Sequence, residues 1–193
     1  MALPHPLRSL GLLLLIVAAT FTRVSAQSFT LATRPLVIPE NGEFTQLVII
    51  TSTNEFLFLP PAGWKLGIDT NQTQLTWLAP DFASSITLKI VPRNEGKPPA
   101  REQMRQTILE AFSGAKIVDE PACYTGSGPG QAFDLEYPGG KDFKQASRLA
   151  YLPFHDGIVE FALTTSAEKF PKRQYDLNLL LNSFHIEPRG PSR

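Results

Sequence analysis

Two turn signals divide the stretch 131–164 into three runs, and this pattern limits the fold more than any other feature of the chain. Before Pro138-Gly139-Gly140, Phe133, Leu135 and Tyr137 alternate with Asp134 and Glu136. After Asp156-Gly157, Val159, Phe161 and Leu163 alternate with Glu160, Ala162 and Thr164. Successive side chains on a strand point to opposite faces, so alternation marks a half-buried strand. Asp-Gly supplies the positive backbone angles that a tight hairpin needs. The runs at 131–137, at 144–152 and after Gly157 therefore predict an antiparallel meander.

Other elements build on it. Leu47-Val48-Ile49-Ile50 and the runs 74–78 and 84–91 read as strands, the last with Ile86, Leu88 and Ile90 on one face. Short strand pieces are expected at 115–118 and 122–125. Phe56-Leu57-Phe58-Leu59, stopped by Pro60-Pro61, is apolar on both sides and needs cover on both faces. Pro99 opens a helix whose stripe is Met104, Ile108, Ala111 and Phe112, closed by Gly114. A second helix spans 170–183, with Pro171 in its first turn and Leu177, Leu180, Leu181 and Phe184 as its stripe. The expected class is α+β: a mainly antiparallel sheet of about six or seven strands, flanked by helices on both faces.

The first residues bound the compartment. Arg8 precedes the apolar run 10–19, and Val24-Ser25-Ala26 gives the small-residue spacing of a signal peptidase site. The run is too short to span a bilayer. The expected organisation is a signal peptide at 1–26 cleaved after Ala26, an extended lead-in at 27–44, a single domain at 45–188 and a polar tail at 189–193. Such a chain is secreted or periplasmic. Formal net charge is zero, so no basic patch points to nucleic acid. No second long apolar run predicts a membrane span in the mature chain. Cys123 is the only cysteine, so an internal disulfide is impossible. It is either buried or pairs between chains.

Candidate chemistry is sparse. His155 beside Asp156 could form a metal or acid/base pair, and His185 follows the second helix. No histidine or cysteine spacing suits a structural zinc site, so neither a metal nor a cofactor is expected. Ser127 sits in the glycine-rich stretch Gly126-Ser127-Gly128-Pro129-Gly130, which lacks both a nucleophile elbow and a phosphate-loop ending. Cys123 has no local base to activate it. Asp134 and Glu136 share one strand face and could hold a cation or act on a glycan, or lie on a solvated face. Asp119-Glu120 offers less. Asn71-Gln72-Thr73 is a glycosylation sequon. The aromatic residues Phe56, Phe58, Trp64 and Trp77 are the candidate ligand- or partner-binding set, with core packing as the plainer alternative.

Two stretches carry a family resemblance. Phe56-Leu57-Phe58-Leu59-Pro60-Pro61-Ala62-Gly63-Trp64 resembles the aromatic strand and its Pro-Gly-Trp ending that open Mog1/PsbP-like domains, a family that includes DcrB-like envelope proteins. The closing helix with Leu181-Asn182-Ser183-Phe184 resembles the Ser-Phe ending that closes them. The resemblance covers roughly 45–188 and implies an α/β/α sandwich and a role in binding or assembly. It transfers no metal ligand or partner-binding residue, and this chain lacks the lipid-attachment cysteine of the DcrB-like members. The expected function is a non-enzymatic binding or assembly module whose partner is an envelope or extracellular protein. A carrier of small apolar molecules, with a pocket between sheet and helices, is the first alternative, and a hydrolase using carboxylates or His155 the second.

Overall fold

The structure, a computed structural model, describes residues 29–40, 42–69, 73–92, 99–139 and 143–189. The expected leader with its Ala26 cleavage point, Asn71 and Gln72 of the sequon, and the tail beyond Arg189 lie outside the described residues.

In chain order the elements are β1 (Thr30–Ile38), β2 (Gly42–Ile50), β3 (Asn54–Phe58), β4 (Lys65–Asp69), β5 (Gln74–Leu78) and β6 (Ser85–Pro92). Helix α1 (Arg101–Ala111) follows, then β7 (Lys116–Asp119), β8 (Ala122–Thr125), β9 (Gly128–Pro138), β10 (Lys144–Phe154) and β11 (Gly157–Ser166). Helix α2 (Phe170–Ser183) and β12 (His185–Pro188) close the described chain. The chain is thus α+β and mainly antiparallel, and the meander is β9-β10-β11, with Phe154 paired to Gly157 across a two-residue turn.

The strands form two sheets rather than one. A four-stranded sheet runs β1-β2-β3-β12. An eight-stranded sheet runs β4-β5-β6-β11-β10-β9-β7, with β8 also on β9. The large sheet holds eight strands against the expected six or seven, and three of the twelve strands among the described residues have no counterpart in the sequence reading. The lead-in at 30–38 is a strand in register with β2, and Pro35 is tolerated because β1 is an edge. β4 contains Gly67 and only two large apolar residues, so it alternates weakly. β12 is four residues long. Within the glycine-rich stretch 126–130 only Gly126 and Ser127 turn, and Thr125 pairs with Gly128, so the stretch forms a hairpin.

Both faces of the large sheet are covered. One carries Leu75, Trp77, Ile86, Leu88, Val159, Phe161 and Leu163, which pack with Phe56 and Phe58 of the small sheet and with Leu177, Leu180 and Leu181 of α2. The opposite face carries Phe133, Leu135 and Leu149 beneath Met104 and Ile108 of α1. The helix stripes are those expected, except that Ala111 is exposed and Phe112 is half-buried against Tyr137 at 5.4 Å.

Phe184 closes the core. It is fully buried, stacks with Phe58 at 5.9 Å and meets Phe161 edge-on at 5.0 Å, so one ring bridges the two sheets. A second tie is polar: the Asp156 carboxylate in the β10–β11 turn accepts hydrogen bonds from Thr53 Oγ1 at 2.8 Å and Asn54 Nδ2 at 3.0 Å. A third anchors α2 to the β5–β6 turn, where Asp81 accepts from Lys169 at 2.9 Å, from Arg173 at 3.0 Å and from the Ala83 N–H at 3.1 Å. The Lys169 bond chiefly, then the Ala83 amide and Arg173, hold the Asp81 carboxyl well below the usual carboxylate range.

Phe184→Ala should cost about 3–5 kcal/mol in urea unfolding, the range for a buried aromatic truncation. The Asp81 contribution is complete above the ordinary carboxylate pKa of about 4 and is lost as pH falls below it. Asp81→Asn should therefore flatten the fall of stability on the acid side, followed as the urea midpoint against pH.

Candidate functional site

The sequence-chosen aromatics are held by the fold itself. Phe56, Phe58 and Trp77 are fully buried, with Phe58 edge-on to Trp77 at 5.7 Å and Phe56 edge-on to Phe154 at 5.3 Å. Trp64 is half-buried against this core, and the Arg173 guanidinium lies 5.3 Å from its ring centre, a cation–π contact.

The candidate chemical groups form no catalytic or metal-binding cluster among the described residues. His155 is 96 % exposed at the tip of a turn, its Nε2 3.7 Å from Asp156 Oδ1, and the other oxygen of Asp156 is bound by Thr53 and Asn54. The Ser127 hydroxyl oxygen accepts the Ile186 N–H at 2.6 Å, which ties the β8–β9 turn to β12. The His185 ring packs over Gly126, where a Cβ would collide with it. Ser127 and His185 are thus neighbours, but the serine oxygen is engaged by backbone. Glu136 is partly exposed and 3.6 Å from Lys144.

Asp134 departs most from a solvated carboxylate pair. It is buried, and Arg148 grips it with two 2.7 Å hydrogen bonds, Nε to Oδ1 and Nη2 to Oδ2. Positions 134 and 148 pair directly across β9 and β10. Their side chains point to the face covered by α2, from which Gln174 donates to Asp134 Oδ2 at 3.3 Å and Asn178 Oδ1 accepts from Arg148 Nη1 at 3.4 Å. With both faces of the sheet covered, a strand's polar positions are buried as well as its apolar ones. The charge is then tolerated only because its partner satisfies both oxygens. Of the two carboxylates that could have held a cation together, Asp134 is thereby engaged by Arg148.

Above this ion pair lies a pocket of about 190 Å³ lined by Ala122, Cys123, Tyr124, Ala132, Arg148, Asn178, Leu181 and Asn182. Burial pushes the Cys123 thiol above its ordinary pKa, while nearby Arg148 pulls the other way. The thiol is protonated at neutral pH, the opposite of what a nucleophile requires. Arg148 spends its charge on Asp134, so the floor is electrically neutral. It offers a guanidinium N–H, carboxamides and a thiol, groups suited to a neutral polar ligand group.

The rim is apolar. Tyr124 on β8 is 68 % exposed. Tyr175 and Leu179 on α2 are 65 % and 51 % exposed. Residues 175, 178, 179 and 182 follow the three- and four-residue spacing of a single helix stripe. That spacing was present in the sequence, hidden by the stronger buried stripe on the other side of the same helix. Arg148 carried no local signal, because its role depends on a partner fourteen residues away across a hairpin.

No family model matches the chain, and no curated protein matches it. Solved structures do. The Ran-binding protein Mog1p of Saccharomyces cerevisiae is similar with a TM-score of 0.47 and 10 % identity, over 81 % of this chain and 96 % of that one. PsbP of Synechocystis sp. PCC 6803 is similar with a TM-score of 0.46 and 10 % identity, over 86 % of this chain and 96 % of its own. LpqN, involved in cell envelope biogenesis of Mycobacterium tuberculosis, is similar with a TM-score of 0.41 and 12 % identity, over 82 % and 92 %. The family resembled in sequence is named for two of these proteins, and at such identities the likeness concerns the fold alone.

Arg148→Met leaves Asp134 buried without its partner and should cost about 3–5 kcal/mol. The double variant Asp134→Leu/Arg148→Met should recover most of that loss, measured by the same urea titration.

Proposed function

We propose that the protein is an exported, non-enzymatic binding module that docks another protein on the surface made by α2 and β8. The carrying observation is that β8 and α2, which line a pocket with a neutral, hydrogen-bonding floor, also expose Tyr124, Tyr175 and Leu179. Tyrosines at a partly apolar surface give large contact area at low entropic cost. The neutral floor favours an uncharged partner group, such as a backbone carbonyl or a side-chain amide, over a phosphate or carboxylate. Export follows from the leader pattern at 1–26. Among the described residues no helix is long and apolar enough to cross a membrane.

A photocrosslinking residue placed at Leu179 tests this in the native compartment, with Glu110 on the outer side of α1 as the control position. The expected result is one discrete adduct from position 179 only. Its yield should drop about tenfold or more with Tyr124→Ser/Tyr175→Ser, the effect of losing two aromatic anchors. No adduct, an adduct insensitive to those substitutions, or equal capture at Glu110 would contradict the proposal.

A further inference from the structure

β4 ends the large sheet on one side and pairs, among the described residues, with β5 alone. Lys65, Leu66, Gly67 and Ile68 are all exposed. An open sheet edge is a template for another strand, and proteins usually blunt it. The other edges of this molecule are blunted. β1 carries Pro35, which has no N–H to offer. At β12 the Ile186 N–H is taken by the Ser127 hydroxyl. The far edge of the large sheet is divided between β7, which bulges between Ile117 and Asp119, and the four-residue β8. β4 has no proline and no bulge, and it pairs with β5 through five residues in unbroken register.

Connectivity leaves this edge clear. Three residues, 70–72, link β4 towards β5, the strand it already pairs with, and they are too few to run back along its other side. The link 93–98 starts and ends beside a cavity that Val91 and Pro99 line together with residues of β10 and β11. That cavity is on the side of β6 away from β4.

The side chains of β4 say what pairs there. Leu66 is opposite Trp77 and Ile68 is opposite Leu75, so both lie on the core face of the sheet. Yet they are 38 % and 51 % exposed, because the core face ends without cover at this strand. Lys65, Gly67 and Asp69 occupy the other face. A second β4, related by a two-fold axis perpendicular to the sheet, keeps the faces matched when the axis passes through residue 66, 67 or 68. Through 66, Lys65 meets Gly67; through 68, Asp69 meets Gly67. Only through Gly67 does each Lys65 face an Asp69 and each Leu66 an Ile68. The strand is therefore complementary to itself in charge and in apolar contact at one register. Lys65 reaches along this solvent face, its ammonium 5.0 Å from the centre of the exposed Phe82 ring. Asp69 already has an interaction within its own chain, and a carboxylate accepts from more than one donor.

We infer that the partner of this edge is a second copy of the chain, paired antiparallel through β4 about Gly67, so that two eight-stranded sheets become one. The two-fold closes the assembly, since each copy spends its only unblunted edge. β4 and β8 lie at opposite ends of the large sheet, so this interface leaves the surface of α2 and β8 free and does not depend on it.

Sedimentation velocity tests the association and disulfide trapping tests the register. A five-residue strand pair is a small interface, so a reversible monomer–dimer equilibrium is expected between about 10 and 500 µM chain. Lys65→Glu and Asp69→Lys should each weaken it about tenfold or more by placing like charges opposite each other twice. An equimolar mixture of the two variants should dimerise again. A Cβ at Gly67 meets nothing closer than the Thr76 carbonyl oxygen at 3.7 Å, so Gly67→Cys fits the fold. Directly opposed residues on antiparallel strands are within disulfide reach. Gly67→Cys should therefore form a linked dimer under mild oxidation. Lys65→Cys should not, since its two copies would stand about 13 Å apart along the strands.

The inference is overturned by a chain that stays monomeric to 500 µM, by a dimer indifferent to Lys65→Glu, by failure of the mixed variants to associate, or by trapping at 65 as efficient as at 67. Gly67→Cys alone decides the register, whatever the charge variants do to stability.

Discussion

Aromatic rings join the two sheets of this molecule, and one of them touches every layer of the join. Phe184, at the end of α2, is the place where the four-stranded sheet, the eight-stranded sheet and the helix meet. A sheet with two apolar faces has to be covered on both. Here α1 takes one face, while α2 and the small sheet share the other. Burial is non-directional, but aromatic rings have preferred relative orientations. The edge-on and stacked contacts of Phe184 therefore bring orientation as well as burial to the join between the layers. The position of α2 in turn decides that Asn178 and Gln174 sit over the Arg148–Asp134 pair, and that Tyr175 and Leu179 face outward beside it.

Much of this was legible in the residues. The bounds of α2 follow from Pro171 and the Leu177, Leu180, Leu181, Phe184 stripe, and the meander follows from alternation and two turn signals. What escaped had a physical reason in each case. β1 was disguised by Pro35, which only an edge strand can carry. β12 is too short to show a period, and it exists because β3 offers it an edge. The division into two sheets has no local signature, because it depends on which strands pair rather than on which residues are strands.

The site was less legible than the fold. Asp134 alternates with Phe133 and Leu135 and so reads as a solvent-facing carboxylate, a reading that holds only when a sheet has one wet face. Gln131, Tyr151, Glu160 and Lys89 come from four strands and form a row only once the register is known. The aromatic run from Phe56 to Trp64 was conspicuous in sequence because the core needs it. Phe56, Phe58 and Trp77 are buried in that core, and Trp64 packs half-buried against it. The residues proposed to face a partner are the unremarkable members of elements whose other members are buried.

The two concavities differ in kind. One has a charge-neutral polar floor, with the exposed Tyr124 in its wall. The other, lined by Met104, Tyr151 and Ile158 on the side of α1, is mainly apolar. Both depend on the layers on either side of the large sheet staying in place, and hence on the small sheet, α2 and the large sheet behaving as one cooperative unit. Native-state hydrogen exchange tests this directly. If Phe184 unites the sheets, the amides of Phe56 and Phe58 in β3 open with the same free energy as those of Phe161 and Leu163 in β11, equal to that of global unfolding. Exchange of the β3 amides at a distinctly lower free energy, with β11 still protected, would show the small sheet opening on its own and would contradict the account.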